Sequence, residues 1–151
     1  MEIRLDDLRG PEIAALLTEH LDCMARVSPP ESRHALDLDG LRRPEITFWT
    51  VWDGPNLAGC GALKQLDPTH GEVKSMRTAT GYLRRGVARL VLQTILAEAR
   101  RRGYRRLSLE TGSMPYFAPA HALYRGAGFV ECGAFVGYRP DPYSKFFTRE
   151  L

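Results

Sequence analysis

No run of apolar residues in this chain approaches the roughly 18 needed to cross a bilayer, so a membrane span is not expected. The first residues, Met1-Glu2-Ile3-Arg4-Leu5-Asp6-Asp7, are too charged for a secretory leader. Cysteine is scarce. Cys23, Cys60 and Cys132 are odd in number, far apart and free of any C-x-x-C spacing, which argues against a disulfide framework and against a zinc site. Repeats, low-complexity tracts and Pro/Gly/Ser-rich linkers are absent too. Charge of one sign is thin: the net charge is +3 with a pI near 8.9. That is too weak a bias to imply nucleic acid, although Arg100-Arg101-Arg102-Gly103-Tyr104-Arg105-Arg106 invites the idea; nearby acids such as Glu98 offset the arginines. What remains is a cytoplasmic protein with neither nucleic-acid nor membrane partners, and residues 1–151 are expected to form one domain.

Present instead is a clear succession of short periodic segments. Ile3 and Leu5 alternate with charge, as in a first strand. Ile13, Leu16, Leu17, His20, Leu21 and Met24 recur at helical spacing behind Pro11, which suits a helix start. Ser28-Pro29-Pro30-Glu31 breaks that helix, and a short second one is expected over Ser32–Leu38. Ile46–Asp53 is β-branched and aromatic, and Gly54-Pro55-Asn56 turns it into Leu57–Leu66 as a hairpin. A further turn, Asp67–Gly71, leads to a strand over Glu72–Thr78. Val87, Val91, Ile95 and Ala99 then stripe one face of a helix that ends at Gly103, where a left-handed cap is expected. Arg106–Glu110 reads as a strand, Thr111–Pro115 as a loop, and Pro119 as the start of a helix ending before Gly128. Strands over Phe129–Tyr138 and Phe146–Thr148 finish the order, which is that of an α+β domain with a mixed sheet. The tail Asp141–Phe147 alternates in a way that could pair across a homodimer, although an internal last strand suffices.

The chemistry concentrates between Gly71 and Gly103. The strand Glu72–Thr78 enters Ala79-Thr80-Gly81-Tyr82-Leu83-Arg84-Arg85-Gly86, which opens directly into the striped helix. The first amides of a helix have no internal partner, and its dipole adds about half a positive charge there. A basic, glycine-containing turn at that place suits a phosphate or pyrophosphate.

Two motifs carry a resemblance. Leu83-Arg84-Arg85-Gly86-Val87-Ala88 resembles the phosphate-binding Gln/Arg-x-x-Gly-x-Gly/Ala signature of the GNAT superfamily of acyl-CoA-dependent N-acetyltransferases. Ala120-His121-Ala122-Leu123-Tyr124-Arg125-Gly126-Ala127-Gly128-Phe129 resembles its Ala-x-x-Leu-Tyr-x-x-x-Gly-Phe signature without a gap. Ser28–Ser32 and Leu107–Gly112 are further similar to a branch of small bacterial single-domain members. The resemblance implies a mostly antiparallel mixed sheet of about six or seven strands with about four helices, splayed at a central parallel pair. It implies acetyl-CoA as cosubstrate and no metal. It also implies direct attack by a primary amine of a small molecule, such as an amino acid or related metabolite. By the same resemblance, the amides of Arg84, Arg85, Gly86, Val87, Ala88 and Arg89 would hold the pyrophosphate. The backbone of Met76, Arg77 and Thr78 would hold the pantetheine arm, the Met76 amide lying near the thioester carbonyl. Leu83 replaces the usual Gln or Arg, and Phe117 stands where an asparagine often meets the cofactor arm.

Tyr124 would be the general acid, since a phenol of pKa about 10 is protonated at neutral pH. For the base, the resemblance puts Glu72 first, since some family members carry a glutamate base at its spacing of eleven residues before Leu83, and Glu110, at the C-terminal end of the neighbouring strand, is the rival. His70, His121 or ordered water remain alternatives. Arg33, His34 and Arg77 are candidates to bind a carboxylate on the acceptor. The other class of function left open is a degenerate module that binds acyl-CoA without turnover.

Overall fold

The computed structural model describes residues 1–151. Seven strands form one sheet: β1 (Glu2–Leu5), β2 (Ile46–Asp53), β3 (Asn56–Asp67), β4 (His70–Thr78), β5 (Arg106–Gly112), β6 (Val130–Cys132) and β7 (Ser144–Glu150). Their order in the sheet is β1-β2-β3-β4-β5-β7-β6, and only β4 and β5 run parallel. Four helices flank it: α1 (Pro11–Val27), α2 (Leu38–Leu41), α3 (Val87–Arg101) and α4 (Ala118–Gly126).

Alternation along the strands splits the core in two. On the back, Val73, Leu107, Leu109 and Phe147 meet α3 and α4 through Val87, Val91, Ile95 and Tyr124. On the front, Phe48, Cys60 and Ala62 meet Ile13, Leu16 and Leu17 of α1 and Leu41 of α2. Helix α3 can settle close to β3 because Gly59 and Gly61 lack side chains. A Cβ there would lie 2.5 Å from Val87 Cγ1 and 2.4 Å from Val91 Cγ1 respectively. Beyond the helix, Gly103 takes φ +80, the left-handed conformation expected of it.

The feature that positions the site is the parting of β4 from β5. Their pairing covers His70↔Arg106, Gly71↔Leu107 and Glu72↔Ser108 and then stops. Against β3, Cys60 faces Arg77 and Ala62 faces Lys74, so two residues of β4, Ser75 and Met76, oppose the single Gly61. Ser75 has φ +55, a left-handed residue inside a strand. Such a bulge bends and overtwists its strand. β5 meanwhile keeps its ladder with β7 to Gly112. A V therefore opens between Lys74 on one arm and Glu110 on the other.

Two segments differ from the sequence expectation. Ser32–Leu38 is not a helix: Pro30–Ser32 forms a 3-10 turn, and α2 begins only at Leu38. The Asp37 side chain accepts from the Gly40 amide at 2.9 Å and caps that later start. The strand expected over Phe129–Tyr138 is cut to Val130–Cys132, because Gly133 follows and Gly137 turns at φ +84. The freed loop folds Phe135 and Tyr138 onto Phe146 on the front face. At the other end of the V, β5 runs two residues past Glu110 into the expected loop. β7 pairs with β5 along its length and with β6 over Phe146–Thr148, so the tail forms an internal strand.

Candidate active site

The helix N-terminus behind the V has the electrostatics of an anion cradle. Arg84 at φ +61 and Gly86 at φ +81 flank Arg85, the left-handed conformations from which backbone anion nests are built. The first helical hydrogen bond is Leu90 N–H to Gly86 C=O at 3.0 Å. None of the amides from Leu83 to Arg89 donates to a backbone carbonyl, and no side chain caps the helix. Arg84, Arg85 and Arg89 are exposed around them. Arg85 also lies over the Tyr82 ring, 4.8 Å from its centroid, and Tyr82 is tied to Asp53 at 3.0 Å. Leu83 is 57% exposed and adds no donor. On the arm leading from this cradle, the β5-facing edge of β4 beyond Glu72 has no strand partner, which leaves its backbone groups free for an extended chain.

Behind the V, Tyr124 of α4 is buried against Phe129 and Phe147. Burial, and then the charge of Glu110, push its phenol well above the usual tyrosine range, so it holds its proton throughout the neutral range. Glu110, on β5, is near enough for its charge to act on that phenol. Burial is the main cause that raises this carboxyl from 4.5 to about 7; Ser144 and the Lys74 ammonium pull it down, and Glu72 and Asp141 push it up. A carboxyl of that kind exchanges protons at physiological pH.

Glu72 is built differently. Its Oε2 lies 3.2 Å from Lys74 Nζ, which sits 3.0 Å from the Tyr138 hydroxyl, and that hydroxyl donates to the same Oε2. Both charged side chains are almost fully buried. Glu72 thus belongs to a closed ion pair. Lys74 and Tyr138 are the residues that motif reading missed; the only signal was the Glu72-x-Lys74 spacing, which puts both on one strand face. The His34 ring meets Tyr138 edge-on at 5.0 Å, and its backbone carbonyl faces Lys74.

The other candidates are placed plainly. Arg33 donates to the carbonyls of Ser28 (2.8 Å) and Ala25 (3.0 Å), closing the end of α1. Arg77 bridges the V's front rim, 2.8 Å from Glu19 and 3.4 Å from the Tyr116 hydroxyl, which itself meets Cys23 Sγ at 2.7 Å. Phe117 is buried with its ring over Gly112, where a Cβ would fall within 2.1 Å of it. His121 is fixed to the Gly112 carbonyl and His70 to Ser108, each at 2.7 Å. In front of β3 and β4 lies a cavity of about 500 Å³, lined among others by Glu45, Lys64, Glu72, Lys74, Val136 and Tyr138. No cluster of three or more His, Cys, Asp or Glu side chains is placed to hold a metal ion, and no helix is long and apolar enough to cross a membrane.

A sheet parted between two parallel strands, with free helix amides and a buried, protonated phenol behind it, is the architecture of an acyl-CoA-dependent transferase. The chain belongs to the acetyltransferase (GNAT) family, whose model matches residues 13–129. Members of that family use acetyl-CoA, and the unpaired amides of Leu83–Arg89 fit its pyrophosphate. Over 151 residues, all of both chains, it is 58% identical to YsnE of Bacillus subtilis (strain 168), named an uncharacterized N-acetyltransferase. It is 39% identical over 137 residues to a protein of Azospirillum brasilense named IAA acetyltransferase, covering 89% of this chain and 88% of that one. The crystal structure of a Bacillus subtilis acetyltransferase in complex with CoA shares the fold, with a TM-score of 0.71 at 16% identity over 99% of this chain and 98% of that one. This protein is an N-acetyltransferase.

Proposed function

We propose that the protein acetylates the primary amine of a small molecule by direct attack, with Glu110 as base and Tyr124 as acid. Acetyl-CoA supplies the acetyl group on a thioester whose departing thiolate needs a proton. The free amides of the Arg84–Arg89 turn hold its pyrophosphate, and the unpaired edge of β4 at Met76, Arg77 and Thr78 aligns the arm. The amine enters from the front of the V. Its nitrogen bonds to the acetyl carbon as the carbon–sulfur bond breaks; Glu110 takes the nitrogen's proton, and the Tyr124 phenol gives its own to sulfur. Both groups are in usable states at neutral pH: Glu110, raised to about 7, is partly ionised and can accept a proton, and Tyr124 stays protonated and can give one.

The observation that carries this reading is that a carboxyl raised toward neutrality by burial, Glu110, and a buried phenol within reach of its charge, Tyr124, lie beyond the point where β4 and β5 part. Glu72, the first choice by spacing, already neutralises Lys74 and accepts from Tyr138, which leaves it less suited to take a substrate proton. Its role here is to hold the floor of the V. Calorimetry with acetyl-CoA, followed by free-thiol release across a panel of amines, tests the whole. Tight binding with amine-dependent release is the expected result. Binding without release on any amine would instead fit an acyl-CoA-binding module, and absence of binding would overturn the cradle.

A further inference from the structure

Buried hydroxyl groups in folded proteins almost always have a hydrogen-bond partner. The Ser144 hydroxyl, at the start of β7, is shielded from solvent and has none. Its backbone is fixed: the amide donates to the Asp141 carbonyl at 3.1 Å. The Asp141 carboxylate in turn accepts from the Tyr143 amide at 2.8 Å and from the Ser32 hydroxyl. Only the rotation of its own side chain is left to Ser144 for finding a partner.

The strand register points to one. Ser144 stands opposite Gly112 of β5, and Phe146 stands opposite Glu110. Ser144 and Glu110 are therefore diagonal neighbours on one face of the sheet, about 7–8 Å apart along the backbone and within reach of a long side chain. Gly112 puts no side chain between them, and the Phe117 ring packed over it offers no acceptor. The hydroxyl already pulls the Glu110 carboxyl down, although no hydrogen bond of ordinary geometry joins the two. Hydrogen bonds of catalytic groups are often loose before a substrate arrives and tighten in the reacting complex.

The other groups around Glu110 have their donors engaged. These are Lys74 and Glu72 on β4, Tyr124 on α4, and Asp141 and Tyr138 ahead of β7. Lys74 directs its ammonium at Glu72, the Tyr138 hydroxyl and the His34 carbonyl. Tyr138 donates to Glu72, and the Tyr124 proton goes to sulfur in the proposed transfer. Ser144 has one hydrogen to give. Donated to an ionised carboxylate it makes a charge-assisted bond, stronger than one to a neutral carboxyl, and it occupies one oxygen only.

We infer that Ser144 is a positioning residue for the transfer: its hydroxyl donates to one oxygen of ionised Glu110 and leaves the other for the proton of the amine. The inference rests on Glu110 acting as the base. The test is urea denaturation of wild type, Ser144→Ala, Glu110→Gln and the double variant from pH 4 to 9, joined by the pH profile of kcat/KM with the best amine of the panel above. Glu110 titrates at about 7 in the folded protein. Without the hydroxyl its midpoint should rise by about one pH unit, the difference between a charge-assisted and a neutral hydrogen bond. A group whose folded midpoint lies above its unfolded one contributes stability that is lost as pH rises through the folded midpoint. Between pH 5 and 9, Ser144→Ala should therefore lose about tenfold more in folding constant than wild type, and the Glu110→Gln background should abolish that extra loss. The acid limb of kcat/KM should move up by the same amount, and Ser144→Thr, which keeps the hydroxyl, should return both midpoints. A stability difference that is flat with pH, an extra loss that persists beside Glu110→Gln, or a limb that stays in place would each overturn the inference. The base reading survives those results provided Glu110→Gln alone removes the limb. A Glu110→Gln protein that keeps the limb, or a wild type that turns over no amine, removes the base and the inference together.

Discussion

Replacing Glu110 by glutamine should make the protein more stable and nearly inactive at once. The folded carboxyl titrates at about 7 against an ordinary 4.5, chiefly because burial disfavours its charge. The folded state therefore binds this proton more tightly than the unfolded chain does. The resulting contribution to stability is complete below about pH 4.5 and is lost as pH rises to about 7. Above that, holding the ionised group in the V costs up to about 3 kcal/mol; water at its half-buried edge makes this an upper bound. Glutamine fills the same space and has no proton to lose. Melting curves of Glu110→Gln and wild type should coincide near pH 4 and separate through pH 5–7. Above pH 7 the variant should melt higher, by roughly 2–4 °C for each kcal/mol. Turnover should move the other way. Loss of a general base costs about 10²–10⁴-fold, and the rise of wild-type kcat/KM toward a plateau above pH 7 should vanish. A variant that melts lower at pH 8, or that keeps the wild-type rate and acid limb, would refute the assignment.

Tyr124→Phe should lower thiol release by about a hundredfold or more with acetyl-CoA affinity near wild type in calorimetry, since the hydroxyl makes no protein hydrogen bond whose loss would disturb the fold. Gly86→Ala meets no steric contact but must hold φ +81, so about 1–2 kcal/mol of stability and a clear loss of acetyl-CoA affinity are expected in denaturant and binding titrations. Gly61→Ala would set a methyl 2.4 Å from Val91 Cγ1 and lift α3 off β3, which should cost about 1–3 kcal/mol by chemical denaturation. Lys74→Met leaves the buried Glu72 charge uncompensated, a loss of about 3–5 kcal/mol; adding Glu72→Gln should recover most of it, and a double variant no better than the single would contradict the ion-pair reading.

The elements most legible in the sequence are those whose period and punctuation agree. α3 carries its stripe from Val87 to Ala99 between a glycine turn and Gly103, and it appears where expected. The hairpin turned at Gly54-Pro55-Asn56 does too. Ser32–Leu38 was illegible because Asp37 and Pro30 each offer a competing local cap, and only tertiary packing of Leu41 into the front core decides between starts. Phe129–Tyr138 reads as a strand because its aromatic residues suit one, yet Phe135 and Tyr138 are half-buried by folding over Phe146 rather than by strand pairing. The bulge at Ser75 left no mark at all. A serine at φ +55 is selected by the ladder on either side of it, which no local pattern encodes.

The same limit explains the choice of base. Motif spacing ranks Glu72 above Glu110, because spacing measures position along a strand and says nothing of what lies across it. Two residues on from Glu72, on the same face, stands Lys74, and the cheapest way to bury either charge is to bury both together. Tyr138 arrives from a loop more than sixty residues away and closes the pair. Glu110 has no such companion on its own strand: Ser108 lies two residues before it and Gly112 two after. Its nearest cation, Lys74, is already matched to Glu72, so burial goes largely uncompensated and lifts the carboxyl toward neutrality. One carboxylate is thereby held in an ion pair and the other left near neutrality, as the proposed base requires, and the difference follows from where a single lysine falls in the alternation of β4.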